Sequence, residues 1–588
     1  MKTLLSLLKK TVIICVCCSL AGFTSNATVF TALLSGDFNA AATWGGIVPP
    51  ALVTADIVII PPGITVTLTS AQSFTATSSL LINGTLASGT YASSLSLTGG
   101  TLSGTGAIQL DSLVLNMASG ISFTGSVVAQ NLISMGAGIT SATNVTVNNS
   151  LTLASGVLNI AAGSLTMGSG SSVMLTGGTL TASGVGTVNL TNPYSVSYLT
   201  SSAVTGIELS GTGLDSVTVN VPGTVTLSGN TTLHGLLSLT SGSLMLNGYN
   251  LTLGSGADLS ATGLGTFSGT LASDLTIAAT SSLSGSLRFV SGGNVINNLT
   301  VDMASASDSA SLGSGLTLNG TLNLMSGKLM LSANNLLINT SGALTGGSAA
   351  SYVVTNGAGS LMMNLAAGAS DTFNVGTGLN FAPMVVAAGS GSSSGNVGIN
   401  LAGLVYSDGT TGSVISATNS MVSATWFVSS DATGAINYNM TAMWNAGMEV
   451  NGFDRTEAYI SHFTGGAWDV QPLMASASVG ASMYSMTRTG ITSLSPFRVA
   501  DKYSVPTVVP ELSLSSDITI YPNPAIGVIN FSSPEKIDAV EIYNLTGSLV
   551  KSSDLANNSV SVIDLPSGMY VVHIIGADIN TMKKFFRQ

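Results

Sequence analysis

The chain has 588 residues, of which 7% are charged and 45% are hydrophobic, and its formal net charge is −11. This length exceeds what one hydrophobic core normally serves, so several domains are expected. From Thr28 to Leu287 there is no Lys or Arg, which argues against binding to nucleic acid or to an anionic membrane, because both need a basic face.

Residues 1–27 have the layout of a secretory signal peptide. Lys2, Lys9 and Lys10 precede an apolar run over residues 11–23, and residues 25–27 are small or polar, as at a cleavage point. All three cysteines lie in this segment, so we expect the mature chain to have neither disulfides nor a zinc site. Beyond residue 27 no apolar run reaches roughly 18 residues, so no transmembrane segment is expected in the mature chain.

The next segment, residues 28–350, carries an internal repeat. The pattern Leu-x-Leu-x-Ser-Gly-x-Leu-x-(Leu/Ile) occurs at Leu151–Ile160, Leu237–Leu246 and Leu322–Leu331. Apolar and polar residues alternate within each copy, as in strands that bury one face. Short strands with Gly corners and no helices predict a repetitive parallel β-helix, or solenoid, whose stacked turns share one apolar core.

A solenoid of this kind buries one set of leucines along its length. We expect Leu153, Leu239 and Leu324 to point into the core, and Trp44 to plug its exposed N-terminal end. Two alternatives stay open. An array of antiparallel sandwiches would give similar strand signals, and Trp44 would also suit stacking on a carbohydrate.

Residues 351–501 differ in composition from residues 28–350. They contain a larger share of charged residues and more aromatic residues, among them Trp426, Trp444 and Trp468. Aromatic anchors among alternating strands predict a β-sandwich region here. Residues 502–516, with Pro506 and Pro510, are predicted to be a linker.

The last segment, residues 517–588, predicts a small Ig-like antiparallel sandwich. Strand candidates lie at residues 529–531, 539–543, 559–563 and 569–574, with turns at residues 544–547 and 566–568. The expected fold class is therefore all-β: a repetitive parallel β-helix, then a β-sandwich region, then the small C-terminal sandwich.

A set of residues in this last segment resembles a known family. The set consists of Tyr521, Pro522, Asn523 and Pro524 at the start, Gly547 and Gly568 in turns, Tyr570 in a strand, and Lys583 and Lys584 in a basic ending. Together they resemble the type A C-terminal sorting domain of the type IX secretion system. An ordinary accessory sandwich at the C-terminus is the alternative.

The resemblance implies a cargo protein that passes through the periplasm and is carried across the outer membrane by the type IX secretion machinery. It also implies that the sorting domain is removed and the body is anchored to surface glycolipid or released. The start of the mature chain, at residues 36–63, resembles surface β-helix proteins from the same secretion context. The pairs Asp111-Ser112, Asp215-Ser216 and Asp308-Ser309 resemble the O-glycosylation acceptor sequence used there.

The chain has few side chains arranged as catalysis would require. Carboxylates stand singly along residues 28–350, whereas a glycoside hydrolase needs two at a defined separation. His234, His462 and His573 fall in three different predicted domains. We therefore predict no enzyme activity, no cofactor and no metal.

The predicted function is that of a structural or adhesin-like protein, whose Thr/Ser/Asn-covered wall contacts glycans or partner surfaces through many weak interactions. The alternative is a carbohydrate-binding or carbohydrate-active protein, with Trp444, Asp454, Glu457 and Trp468 as candidate residues. Ice binding by threonine arrays such as residues 65–67 is a third possibility, but we do not expect such arrays to persist in register.

Overall fold

A computed structural model describes residues 27–504 and 518–588, apart from residues 76, 90–92, 118–121, 137–138, 142, 356, 546, 556 and 577–579. The predicted signal peptide, except its last residue, and most of the predicted linker lie outside the described residues. The protein is nearly all β, with about 2% helix, as predicted. Among the described residues, no helix combines the length and hydrophobicity needed to cross a membrane.

The strands that take part in parallel pairing come first in the chain. In chain order they are β1 (Val29–Thr31), β2 (Gly36–Asp37), β3 (Leu52–Val53), β4 (Ile57–Ile60), β5 (Thr65–Leu68), β6 (Gln72–Thr75), β7 (Ser79–Ile82), β8 (Thr85–Ser88), β9 (Ser94–Thr98), β10 (Thr101–Gly104), β11 (Ala107–Asn116), β12 (Ser122–Phe123), β13 (Ser126–Ser134), β14 (Ile139–Ser141), β15 (Asn144–Leu153), β16 (Val157–Ile160), β17 (Ser164–Met167), β18 (Ser171–Leu175), β19 (Thr179–Ala182), β20 (Thr187–Asn189), β21 (Tyr194–Leu199), β22 (Ala203–Val204), β23 (Leu214–Thr226), β24 (Thr231–Leu233), β25 (Leu236–Met245), β26 (Asn250–Leu253), β27 (Asp258–Leu259), β28 (Thr266–Ser268), β29 (Asp274–Ile277), β30 (Ser286–Leu287), β31 (Val295–Ile296), β32 (Asn298–Asp302), β33 (Ser309–Leu312), β34 (Leu316–Leu318), β35 (Thr321–Met330), β36 (Leu336–Ile338), β37 (Ala343–Gly346), β38 (Ser351–Val354) and β39 (Leu361–Leu365).

These strands form a parallel β-solenoid of about 14 turns. Each turn supplies several strands to parallel sheets: β4, β5 and β6 of one turn pair in parallel with β7, β8 and β9 of the next. Val58 aligns with Leu80, and Leu80 aligns with Leu102. The predicted solenoid is therefore confirmed, and the alternative of separate antiparallel sandwiches is wrong for this part of the chain.

The inward positions of the solenoid are those that the alternating pattern predicted. Leu153, Leu239 and Leu324 are all buried and belong to one hydrophobic core. The Gly of each repeated Ser-Gly pair, at positions 156, 242 and 327, has a positive φ of 68–88°. This conformation bends the chain, between β15 and β16 at position 156 and within β25 and β35 at the other two positions. A side chain at Gly242 would place its Cβ 2.5 Å from the carbonyl oxygen of Val221, so this corner favours glycine on two counts.

The sequence repeat is longer than the structural one. Residues in register run, one per turn, through Leu151, Val173, Val196, Val217 and Leu237. The first two copies of the leucine pattern are therefore four turns apart. The intervening turns bury Val at the equivalent position, which hides the shorter period from a search for leucines.

A short helix closes the N-terminal end of the solenoid. Helix α1 (Ala41–Trp44) lies between β2 and β3, and the left-handed Gly45 follows it. The Trp44 indole N–H donates to the Phe38 carbonyl at 2.6 Å, and the two rings pack edge to face with centroids 5.2 Å apart. Trp44 is buried in the common core, as expected of a plug, and this burial disfavours a role in stacking on sugars.

The solenoid passes directly into antiparallel sheets. β39 pairs in parallel with β36 on one side and antiparallel with β43 (Gly395–Ala402) on the other. Parallel pairing extends past residue 350, because β38 also pairs in parallel with β41 (Val375–Gly376). The remaining strands of this region are β40 (Ser370–Phe373), β41 (Val375–Gly376), β42 (Met384–Ala388), β43 (Gly395–Ala402), β44 (Met421–Val422), β45 (Thr425–Ser430), β46 (Tyr438–Asn445), β47 (Glu449–Val450), β48 (Ala458–Thr464), β49 (Ala467–Trp468), β50 (Ala477–Val479), β51 (Met483–Ile491) and β52 (Pro496–Asp501).

One hydrophobic core connects the solenoid to this region, since a single cluster of packed side chains runs from Phe30 to Val499. Short 3-10 helices occur at Ile207–Leu209, Ile415–Ala417 and Ala446–Met448. Two antiparallel sheets dominate residues 361–501, one built around β43, β45 and β52 and the other around β42, β46 and β51.

The C-terminal unit has its own core. Its strands are β53 (Thr519–Tyr521), β54 (Val528–Ser532), β55 (Ala539–Tyr543), β56 (Leu549–Asp554), β57 (Ser559–Ser561), β58 (Gly568–Ile575) and β59 (Asn580–Arg587). They form a three-stranded sheet in the order β53-β54-β57 and a four-stranded sheet in the order β56-β55-β58-β59. A separate apolar cluster that includes Phe531, Ile542 and Phe585 contains residues of both sheets. The predicted small antiparallel sandwich is confirmed.

Candidate functional site: the C-terminal unit and the solenoid wall

The opening motif of the C-terminal unit, Tyr521–Pro524, is held against the last strand, β59. The Asn523 side chain accepts the backbone N–H of Phe586 at 2.8 Å and donates to the carbonyl of Lys584 at 3.3 Å. Both prolines of the motif follow cis peptide bonds. The Asn523 side chain thus joins the first and last segments of the unit, alongside the backbone hydrogen bond from Ala525 to Phe586 at 2.8 Å.

Tyr570 connects the turn before β58 to the same strand. Its hydroxyl donates to the Pro566 carbonyl at 2.8 Å, and its ring stacks on Phe585 with centroids 5.7 Å apart. Both rings are buried in the core of the unit. Tyr570 therefore has a structural role, and the turn is held at a fixed position over the sheet.

The other residues of the signature lie in turns and on the outer strand. Gly547 has a φ of 81° and donates its N–H to the Asn544 carbonyl at 3.0 Å, which closes the turn between β55 and β56. Gly568 begins β58, while Lys583 and Lys584 lie on β59 opposite Val572 and Val571. The structure thus gathers Tyr521–Pro524, Gly568, Tyr570, Lys583 and Lys584 around β59, and places Gly547 elsewhere.

A polar cluster on the four-stranded sheet was not predicted. The Glu541 carboxylate accepts the Tyr543 hydroxyl at 2.6 Å and lies 3.3 Å from Nδ1 of His573. Hydrogen bonds from Tyr543 and His573 lower the pKa of Glu541, and the same carboxylate raises the pKa of Tyr543. The alternation along β55, which puts Glu541 and Tyr543 on one face, was the available sequence signal.

Carboxylates of the solenoid are used within the fold. Asp56 accepts the backbone N–H of Thr28 at 2.8 Å. Glu208 is buried, and it accepts the Tyr198 hydroxyl and the Gly206 N–H, both at 2.7 Å. Burial and the nearby Glu208 charge raise the pKa of Tyr198 well above its usual value. In the described part of the chain, no three His, Cys, Asp or Glu side chains are grouped so as to hold a metal ion.

The candidate carbohydrate-active residues of the 351–501 region do not present aromatic faces. Trp444 is 0% exposed, and its indole N–H donates to Glu449 at 2.8 Å. Trp468 is 4% exposed and donates to the Tyr406 carbonyl at 2.8 Å. A sugar ring needs an accessible aromatic face for stacking, so both tryptophans serve the interior.

The two carboxylates of the same candidate set form a surface ion-pair cluster. Asp454 and Glu457 both pair with the ammonium group of Lys502, with Asp454 at 3.3 Å. Hydrogen bonds from Thr456, followed by that from Lys502, lower the pKa of Asp454. The contacts tie the end of β52 to the loop before β48, a structural role that accounts for both acids.

A polar groove of about 310 Å³ lies on the sheet formed by β26, β29, β32, β35 and β37. The groove is lined by Asn250, Asp274, Leu275, Thr276, Asn298, Thr300, Thr321, Asn323 and Thr345. Thr252, Thr276, Thr300, Asn323 and Thr345 are aligned across consecutive strands. We call this surface the Asn/Thr groove.

The threonine array considered for ice binding does not extend along the solenoid as the column in the Asn/Thr groove does. Thr67 aligns with Ala87, and Ala87 aligns with Gln109, so the array that starts at residues 65–67 is lost within two turns, as expected. The column in the Asn/Thr groove departs from that expectation, because hydroxyl or amide side chains recur on five successive strands.

Comparison with known proteins gives one match, over the C-terminal unit. Residues 519–588 match the family described as secretion system C-terminal sorting domain. No curated protein and no solved structure matches the chain. The match coincides with β53–β59 and includes all nine signature residues. The protein is therefore a cargo protein of the type IX secretion system, which exports it to the cell surface or the medium, with a β-solenoid body and a C-terminal sorting domain.

Proposed function

We propose that this cargo protein is a non-enzymatic, structural or adhesin-like component of the cell exterior. The proposal rests on the continuous solenoid. Its turns, about 14 in number, form a wall that is roughly 65 Å long at the usual strand spacing. Its inward positions are mostly apolar, and its outward positions are mostly Thr, Ser and Asn. Such a wall repeats the same weak contact many times, which suits avid attachment to a repetitive surface.

The disposition of the ionisable groups supports a passive role. Several solenoid carboxylates, among them Asp56 and Glu208, accept backbone or hydroxyl hydrogen bonds. Asp454 and Glu457 both pair with the single ammonium group of Lys502. The alternative of a carbohydrate-active site in residues 351–501 has less support, because Trp444 and Trp468 are buried.

Three strains test the adhesive role: one that lacks the gene, one complemented with the full chain, and one complemented with an unrelated folded passenger fused to residues 502–588. We expect only the full chain to restore attachment to glycan-coated surfaces or to other cells. The passenger strain is the matched control, because it exports a protein by the same secretion route but that protein lacks the solenoid. Equal attachment by all three strains would contradict the adhesive role.

A biochemical measurement tests the absence of enzyme activity. The purified protein, incubated with a panel of polysaccharides, should release no more reducing or unsaturated ends than a heat-denatured sample. Reproducible release above that level would show that the body is an enzyme.

A further inference from the structure

We propose that the Asn/Thr groove is a binding site for a linear, neutral, hydroxyl-rich polysaccharide that lies along the solenoid axis. This inference rests on the proposed function, since it names the partner class and the surface of the adhesin-like body that contacts it.

The groove is built from two aligned columns of outward side chains. Asn250, Asp274 and Asn298 form the first column, which Thr321 continues. The threonine-rich column that starts at residue 252 forms the second. From Asn250 to Thr345 the lining spans five strands, or roughly 19 Å at the usual strand spacing, which is long enough for several sugar units in a row.

Part of the first column is occupied by contacts within the protein. Oδ1 of Asp274 accepts the N–H of Asn298 at 3.0 Å and the side-chain amide of Asn298 at 2.8 Å, and Oδ1 of Asn298 accepts the N–H of Thr321 at 2.8 Å. These bonds fix the amide and carboxylate groups in place before any ligand arrives. A preorganised polar wall binds with a smaller loss of side-chain entropy.

The second column supplies hydroxyl groups that can both donate and accept hydrogen bonds. Thr276 and Thr300 lie in the middle of the groove, one strand apart. Thr276 makes one long contact, 3.4 Å, with Asn250. A polysaccharide presents the complementary chemistry, since its hydroxyls also act as donors and acceptors at a regular repeat.

The carboxylates on this face favour a neutral partner over an acidic one. The strands of this face contribute Asp274 and Asp302, whereas their one cation, Lys328, donates to the carbonyl of Gly378 and lies over the ring of Tyr352. Uronic acids, sulfated glycans and nucleic acids would meet these carboxylates with like charge, which is unfavourable.

The composition of the lining also disfavours a protein partner. The centre of a protein–protein interface is normally rich in aromatic residues, Met and Arg. The lining of this groove consists of Asn, Asp and Thr with one buried Leu, so a partner gains hydrogen bonds and little apolar contact.

The test measures retardation of the purified full chain in native gels that contain dextran, mannan, xylan or β-glucan, with alginate and polygalacturonate as acidic counterparts. Two variants are compared: Thr276→Val with Thr300→Val, and Thr166→Val with Thr218→Val. Both remove two outward hydroxyls from strands while keeping the shape and the strand preference of each side chain. Thermal unfolding of each variant verifies that it is folded.

We expect retardation by at least one neutral polysaccharide and by neither acidic one. The groove variant should bind about tenfold more weakly, because two hydrogen bonds are lost, and the Thr166/Thr218 variant should bind as the parent does. The inference is overturned if no neutral polysaccharide retards the chain, if only acidic ones do, or if both variants bind alike. Attachment of cells that depends on the body but survives the groove substitutions would overturn this site and leave the proposed function standing.

Discussion

In the solenoid, neighbouring residues of one strand have opposite environments. Leu239 is 4% exposed, while Ser238 beside it faces outward and its hydroxyl lies 3.3 Å from that of Thr240. Because side chains alternate across a strand, a shift of one position exchanges the core for the solvent. The effect of a substitution should therefore depend more on whether the side chain faces inward or outward than on where the residue lies along the chain.

Leu239→Asp should unfold the turns around β25, because an unpaired carboxylate in an apolar core costs several kcal/mol. The measurement is thermal unfolding followed by circular dichroism, with limited proteolysis to locate the affected turns. Ser238→Asp is the matched control and should change stability by less than about 1 kcal/mol. Similar losses in the two variants would mean that Leu239 does not point inward.

His462 is a buried titratable group in the region that follows the solenoid. Its ring stacks on Phe497 at 4.3 Å with an angle of 6° between the planes. Burial, followed by the positive charge of Arg488, lowers the pKa of His462, although the carboxylate of Asp469 opposes this shift. The folded protein therefore resists protonation of a ring that the unfolded chain accepts near pH 6.5.

This difference predicts loss of stability in weak acid. As the pH falls below about 6.5 the unfolded state binds the proton first, so the free energy of unfolding decreases with falling pH. His462→Phe keeps a flat ring on Phe497 and removes the proton site, so its unfolding midpoint should fall less than that of the parent between pH 7 and pH 5. At pH 8 both carry a neutral ring, so any difference there reports packing alone. Parallel pH profiles would rule out His462 as the source.

At the scale of elements, the solenoid depends on its corners and its ends. Each turn contacts the turns before and after it, so stability is close to a sum of nearest-neighbour terms. An interior turn is covered on both sides, whereas the first turn needs a cap. Helix α1 provides that cap by placing Trp44 against Phe38.

Trp44→Ala should therefore loosen the N-terminal turns first. Removal of a buried tryptophan costs about 3–5 kcal/mol, and in a linear stack the loss should stay near the site. Hydrogen exchange should show faster exchange in β1 and β4 and little change in β35. Trp44→Phe, which keeps an aromatic ring but loses the 2.6 Å hydrogen bond to the Phe38 carbonyl, should show an intermediate effect. Uniform acceleration along the whole solenoid would contradict the capping role.

At the scale of the whole molecule, the body and the sorting domain have separate hydrophobic cores. The sorting domain joins its first and last segments through Asn523 and packs Tyr570 on Phe585. A unit with its own core can fold independently of its cargo. The sorting information is therefore expected to be transferable.

Removal of residues 517–588 should trap the protein in the periplasm, and fusion of this segment to an unrelated periplasmic passenger should bring the passenger to the surface. Fractionation and protease accessibility on intact cells measure both outcomes. A fusion with Asn523→Ala and Tyr570→Ala tests whether the folded unit is required, because both substitutions loosen the contacts around β59. Normal surface delivery of the truncated protein would contradict the role of this segment.

The sequence alone determined the features that depend on local pattern. Alternation with a period of two identified the strands and placed Leu153, Leu239 and Leu324 in the core, and the Ser-Gly pairs marked the corners. The signature from Tyr521 to Lys584 identified the sorting domain, because its residues are close in sequence and their identities are specific.

The tertiary structure decided what depends on register between distant residues. It showed that one long sequence repeat covers four turns, that the core continues through residue 350, and that Trp444 and Trp468 are buried. It also aligned Asn250, Asp274 and Asn298 on one face, although more than 20 residues separate each from the next. Loops of variable length connect the turns, so the outward side chains that become neighbours cannot be predicted from the sequence. That choice is made when backbone hydrogen bonds bring one turn into register with the next.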